Sequence, residues 1–148
     1  MIKFLILLAL ILLDLLTKYV VTVNLSNNNY LDINSFLTIV NVKNYGVSFG
    51  IFANILPSWF LIVIASLVTL TVIYLLKISK NFYEKRAYFI IIAGAIANIT
   101  DRFMNGYVVD FISLNYKEFY WPAFNLADIY ITLGIIMLLM SFFIKSKE

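Results

Sequence analysis

Four long apolar runs, at residues 2–23, 56–76, 87–104 and 124–144, set the pattern of the chain. Each is close to the roughly 20 residues that an α-helix, rising about 1.5 Å per residue, needs to cross the hydrocarbon core of a bilayer. The stretches between them differ in character. Residues 24–55 break into short β-favouring runs such as FLTIVNV, separated by the turn-rich NLSNNNY and by NYGVSFG, and are too long for an ordinary connector. The pattern predicts an all-α membrane protein: a four-transmembrane-helix bundle forming one domain over residues 1–148, with a small β-rich extracytoplasmic segment between helices 1 and 2. Phe49, Ile51 and Phe52 of that segment are expected to dip into the membrane interface. In the third run, Ala93, Gly94, Ala95 and Ala97 are small enough to let a neighbouring backbone approach closely.

Composition sharpens the picture. The chain is 63% hydrophobic and 13% charged, with mean hydropathy +0.94, whereas roughly a quarter of a soluble domain is charged. The first run is too long and too polar for a cleaved secretory signal: it contains Asp14 and Lys18 and lacks a small-x-small site. Neither cysteine nor histidine occurs. That excludes thiol nucleophiles, serine–histidine triads, histidine-ligated metals and disulfide scaffolds. No metal and no cofactor is expected, and no nucleic-acid motif is visible. Carboxylates, lysine, hydroxyls and backbone remain for chemistry.

Charge placement bears on orientation. Lys3, the basic 77–86 connection and the Lys145/Lys147 tail fall at one end of the four spans, which the positive-inside rule makes cytoplasmic. Both termini are then cytoplasmic, and the 24–55 segment and the 105–121 loop share the outer side. Tyr116, Tyr120 and Trp121 suit an interfacial aromatic belt there.

The candidate chemistry lies between Asn98 and Asp128. A carboxylate at membrane depth costs about 2.5–3.5 kcal/mol on insertion scales, so its presence marks a functional candidate. Asn98, Asp101 and Arg102, spaced i, i+3 and i+4, put an amide, a carboxylate and a guanidinium on one side of helix 3. Arg102 suits two roles, gripping a phosphate or carboxylate or neutralising Asp101. Asn125 and Asp128 give helix 4 a similar polar stripe, with Asp128 about one turn below the start of its span. Asp110 sits in the apolar run VVDFI without a local partner. Asp14 and Lys18, four apart on helix 1, form an ion pair that serves either packing or substrate. Asn44 and Gly46 mark a tight turn or a close approach to a ligand. If Asp110 and Asp128 meet, one can hold a proton while the other acts as base, as in aspartic proteases. A proton or cation relay, and simple interhelical bonding, use the same residues.

Taken together, the motifs resemble the lipoprotein signal peptidases (signal peptidase II). The likeness runs through Asp14-x-x-x-Lys18, the run Asn44 to Gly50, Asn98-Ile99-Thr100-Asp101-Arg102, the run Gly106 to Phe111, and Phe124-Asn125-Leu126-Ala127-Asp128, in order on four spans. The resemblance implies an aspartic endopeptidase of the bacterial cell membrane with Asp110 and Asp128 as catalytic dyad. It also implies that Asn44, Asn98, Asp101, Arg102 and Asn125 line or support the site, and that Asp14 and Lys18 are the family's first-helix polar pair. The implied substrate is a diacylglyceryl-modified prolipoprotein, cut on the amino side of its lipidated cysteine, presented from the membrane lipids; inhibition by globomycin-type peptides is expected with it. One departure is visible: before Asn98 this chain reads Ala93-Gly94-Ala95-Ile96-Ala97, where the family shows more glycine. Three rivals stand beside this reading. A small proton-coupled transporter or channel would use Asp14, Asp101 and Asp128 as a relay. A serine–lysine hydrolase would use Ser48 and Lys18. A non-catalytic assembly factor would only bind lipids or helices.

Overall fold

A computed structural model of the chain describes residues 1–25, 30–47, 55–117 and 119–145. Four helices, α1 (Ile2–Asn24), α2 (Ser58–Ile78), α3 (Phe82–Asn105) and α4 (Leu126–Lys145), are long and apolar enough to cross a membrane. Their large side chains point outward: Leu5, Leu12 and Leu16 of α1, Leu67 and Leu70 of α2, and Leu139 and Phe142 of α4 are all exposed. Against lipid chains such a surface costs nothing, and the interior is left to small and polar groups. The buried residues of α1 are Asp14 and Lys18. Those of α3 are Ala87, Ile92, Ala93, Gly94, Ala97, Asp101 and Arg102, and the other three helices all pack against α3.

Close approach is tightest between α3 and α4. A Cβ on Gly94 would strike the Ala127 carbonyl oxygen and the Ile131 side chain, while one on Gly134 would lie 2.8 Å from the Ala87 carbonyl oxygen. The glycine kept in the Ala93–Ala97 run is therefore the one the packing requires; Ala93 and Ala97 are fully buried as alanines.

Local capping sets the helix ends. Helix α3 begins at Phe82 rather than at residue 87, because the Asn81 side chain accepts from the backbone N–H groups of Tyr83 (2.8 Å) and Glu84 (3.3 Å). It stops at Gly106, whose φ of 80° lets its N–H return to the Arg102 carbonyl at 2.8 Å. Helix α4 begins at Leu126 rather than at 124, so Asp128 stands in its first turn instead of a turn deeper.

At the end of the bundle where α1 and α3 finish and α2 and α4 start lies an antiparallel sheet of four strands in the order β1-β2-β3-β4: β1 (Tyr30–Asp32), β2 (Leu37–Asn44), β3 (Val108–Tyr116) and β4 (Phe119–Tyr120). The sheet extends beyond the segment between helices 1 and 2, since β3 and β4 come from the α3–α4 connection. The apolar VVDFI run supplies the start of β3 because it pairs with β2 and is buried. A register shift between Ile39 and Val42 brings Val42 opposite Asp110 and Asn44 opposite Val108. Ser48, Phe49, Gly50, Ile51, Phe52 and Lys147, and the side chain of Lys145, lie outside the described residues.

Candidate active site

The site is assembled where β2, β3 and the ends of three helices meet. On the sheet, Asn44 and Asp110 are diagonal neighbours on one face, a relation that puts long side chains in reach of each other. The Asn44 amide donates to Asp110 Oδ2 at 2.9 Å. The other oxygen, Oδ1, accepts from the Asn125 side-chain amide at 2.6 Å. Asp110 is only 3% exposed. Burial pushes its carboxyl up from 3.8 to about 6; the amides of Asn44 and Asn125 oppose that, the negative charge of Asp128 adds to it, and Lys18 opposes it.

Asn125 also starts α4. Its Oδ1 accepts from the Asp128 N–H at 3.0 Å, and Asp128 Oδ2 accepts from the Asn125 N–H at 3.2 Å, a reciprocal capping box. One asparagine thus touches both aspartates, with its amide on Asp110 and its backbone on Asp128. The remaining Asp128 oxygen, Oδ1, accepts from the Asn98 amide at 2.9 Å.

Beneath this layer lies the α1 pair. Lys18 Nζ is 2.8 Å from Asp14 Oδ2 and 3.3 Å from Asp101 Oδ2, and donates to Asn98 Oδ1 at 2.7 Å. Asp14 Oδ1 accepts from the Ala127 N–H at 2.8 Å, tying α1 to the first turn of α4. Asp101 also accepts from the Val109 N–H (2.8 Å) and the Asn105 amide (2.7 Å), so it fixes the start of β3 next to Asp110.

Among the described residues, the cation in ion-pair contact with Asp101 is Lys18, not Arg102. The buried guanidinium of Arg102 donates instead to the Gly46 carbonyl, and the Gly46 N–H reaches Asn44 Oδ1 at 2.9 Å. A line of contacts therefore runs from α3 through Gly46 and Asn44 to Asp110. All ten candidate residues named from the sequence, Asp14, Lys18, Asn44, Gly46, Asn98, Asp101, Arg102, Asp110, Asn125 and Asp128, fall in this connected cluster. Sequence reasoning missed Asn105, although its spacing of four from Asp101 on one helix face was available. It also missed the backbone donors of Val109 and Ala127, which no side-chain pattern announces.

Chemically, the cluster offers two carboxylates that feel each other's charge, each furnished with amide donors. Among the described residues, the buried polar side chains of the spans outside the cluster are Thr69 of α2 and Ser141 of α4. Among the described residues, no buried carboxylate continues toward the opposite end, as a transmembrane relay would require. Lys18, the base of a serine–lysine scheme, is committed to three acceptors.

The model of the family described as signal peptidase (SPase) II matches residues 6–144. A lipoprotein signal peptidase of Thermodesulfovibrio yellowstonii is 43% identical over 128 residues, covering 86% of this chain and 84% of the relative. One from Rickettsia prowazekii is 37% identical, covering 96% of this chain and 75% of the relative. A bacterial membrane enzyme solved at 2.3 Å superposes with a TM-score of 0.87 at 27% identity, covering 97% of this chain and 88% of that one. A second, solved at 1.9 Å, gives 0.81 at 28% identity, covering 95% and 91%. With that much of its length matched, with four spanning helices and with the family's motifs converging at one end of the bundle, this chain belongs to the signal peptidase II family of multi-pass bacterial membrane peptidases.

Proposed function

We propose that the protein is an aspartic endopeptidase that removes signal peptides from diacylglyceryl-modified prolipoproteins, cutting on the amino side of the lipidated cysteine, with Asp110 and Asp128 as its catalytic pair. The observation that carries this reading is Asn125, which holds a carboxylate of β3 and a carboxylate of α4 at once.

The chemistry follows from a pair carrying one proton. Asp110, the more deeply buried carboxyl, holds that proton up to about pH 6; Asp128, supplied with N–H donors by Asn98 and Asn125, is the base. Asp128 takes a proton from water as its oxygen attacks the scissile carbonyl carbon, and Asp110 gives its proton to the carbonyl oxygen. The tetrahedral intermediate then collapses. The C–N bond breaks, the proton on Asp128 passes to the departing amine of the lipidated cysteine, and Asp110 recovers its proton from the gem-diol.

Orientation follows from charge. Lys3, Lys77, Lys80, Lys85 and Arg86 belong to the end of the bundle opposite the sheet. Under the positive-inside rule that end and both termini are cytoplasmic, and the site opens at the outer face. A lipid-anchored peptide reaches that depth from the bilayer without leaving it, and globomycin-type cyclic peptides are expected to compete for the same place. The test is cleavage of a diacylglyceryl-cysteine precursor peptide by purified protein. Asp110→Asn and Asp128→Asn must each abolish it while the protein stays folded; full cleavage by either variant overturns the reading.

A further inference from the structure

The buried ammonium of α1 has a relation to the reaction that an ion pair alone does not require. Lys18 is 2% exposed and completes its coordination with three acceptors: Asp14 Oδ2, Asp101 Oδ2 and Asn98 Oδ1. The first two would suffice to offset its charge. The third falls on an amide whose other end faces Asp128. An ammonium carries donors only, so it accepts one orientation of Asn98, with the oxygen toward Lys18 and the NH2 toward Asp128. Rotated by half a turn, the amide would set its NH2 against Lys18 and its carbonyl oxygen against the carboxylate, and both contacts would be repulsive.

We infer that Lys18 is a positioning residue for hydrolysis: through Asn98 it keeps an N–H donor on Asp128 and so holds that carboxylate in the ionised, proton-accepting state. Asp14 complements this from the same helix turn, since its second oxygen holds the Ala127 N–H and with it the first turn of α4. The α1 pair thus fixes Asp128 by two routes, one through the amide on its oxygen and one through the backbone beside it. The charged groups that act on Asp128 are Lys18 and Asp14 from α1, Arg102 from α3 and Asp110 from β3. Asp101 of α3 acts indirectly, by sharing Lys18. Of the two cations, Lys18 alone also contacts an amide bonded to Asp128, since Arg102 is bound to the Gly46 carbonyl.

This inference rests on the proposed aspartic mechanism, and one experiment separates the two. Wild type, Lys18→Met, Asn98→Ala, the double variant and Asp128→Asn are purified as full chains in one detergent. Cleavage of a diacylglyceryl-cysteine precursor peptide is then followed as kcat and KM against pH. If Lys18 acts through Asn98, Lys18→Met lowers kcat about 10²-fold, the scale of a misplaced catalytic group, with KM little changed. The acid limb of the profile moves to higher pH, because Asp128 loses a donor and a nearby cation. Asn98→Ala moves the limb in the same direction, and the double variant is little worse than either single one. A structural role alone would lower the amount of active enzyme without moving the limb. An unmoved limb in Lys18→Met, or losses that multiply in the double variant, overturns the inference. Removing Lys18 strands two buried carboxylates, so Asp14→Asn/Lys18→Met, which removes both halves of the α1 pair, is measured in parallel and judged by the same limb. Failure of wild type to cleave, or cleavage by Asp128→Asn, overturns the aspartic mechanism instead.

Discussion

Asp110 and Asp128 are the same side chain placed in two different ways. Asp110 rides on a β-strand, is nearly sealed from solvent, and takes both of its hydrogen bonds from side-chain amides brought from distant parts of the chain. Asp128 stands in the first turn of a helix and half-buried, with backbone and side-chain donors around it and a lysine behind its amide partner. Burial lifts the carboxyl in the first environment; in the second, N–H donors of Asn98 and Asn125 stand on the carboxylate oxygens and the Lys18 cation acts on it. On the proposed mechanism, the difference teaches how a membrane protein without histidine would make an acid and a base from one residue type.

The strongest way to break this comparison is to neutralise either member. Asp110→Asn and Asp128→Asn should each lower kcat/KM by about 10²- to 10⁴-fold, the usual worth of general acid–base catalysis, with helical content unchanged by circular dichroism. Unequal losses, with one variant near wild type, would mean that the carboxylates do not work together. Asn125→Ala removes the contact common to both, and the expected loss in kcat is about 10²-fold. The broken helix cap adds about 1 kcal/mol of destabilisation, readable as a lower thermal midpoint. A stability loss without a rate loss would assign Asn125 to the helix alone.

pH dependence sharpens the comparison. A monoprotonated pair loses its last proton as pH rises, so cleavage should decline on the alkaline side, with an apparent value near the 6 of Asp110 and belonging to the pair as a unit. The Asn44 amide holds the Asp110 carboxyl down against burial. Asn44→Ala should therefore move the alkaline limb to higher pH, while Asn98→Ala moves the acid limb instead. A profile that stays flat through alkaline pH in the wild type would remove carboxylate catalysis altogether. The smallest effect on chemistry is expected from Gly94→Val, which drives side-chain carbons into the Ala127 carbonyl and Ile131. Overpacking there should cost about 1–3 kcal/mol of stability, seen as a lower midpoint in detergent.

The four spans and the identity of the polar residues were readable along the chain because a bilayer imposes a length and penalises each charge. Every charge placed at depth, from Asp14 to Asp128, therefore announced itself one residue at a time. What a linear reading assigned less well was partnership. Arg102 stood next to Asp101 on one helix face, yet its contact is Gly46, and the cation on Asp101 comes from α1, a distance of 80-odd positions that no periodicity records. The second half of the sheet was similarly concealed, since VVDFI reads as a short apolar link until β2 lies beside it.

By itself the sequence determined the class of protein, the spans and the list of groups available for chemistry, because hydrophobicity and residue type are local properties. Only the tertiary structure decided which oxygen receives which proton donor. Hydrogen bonds reach about 3 Å, and whether Asn125 touches two aspartates or Lys18 turns one amide depends on how helices and strands pack across the whole chain.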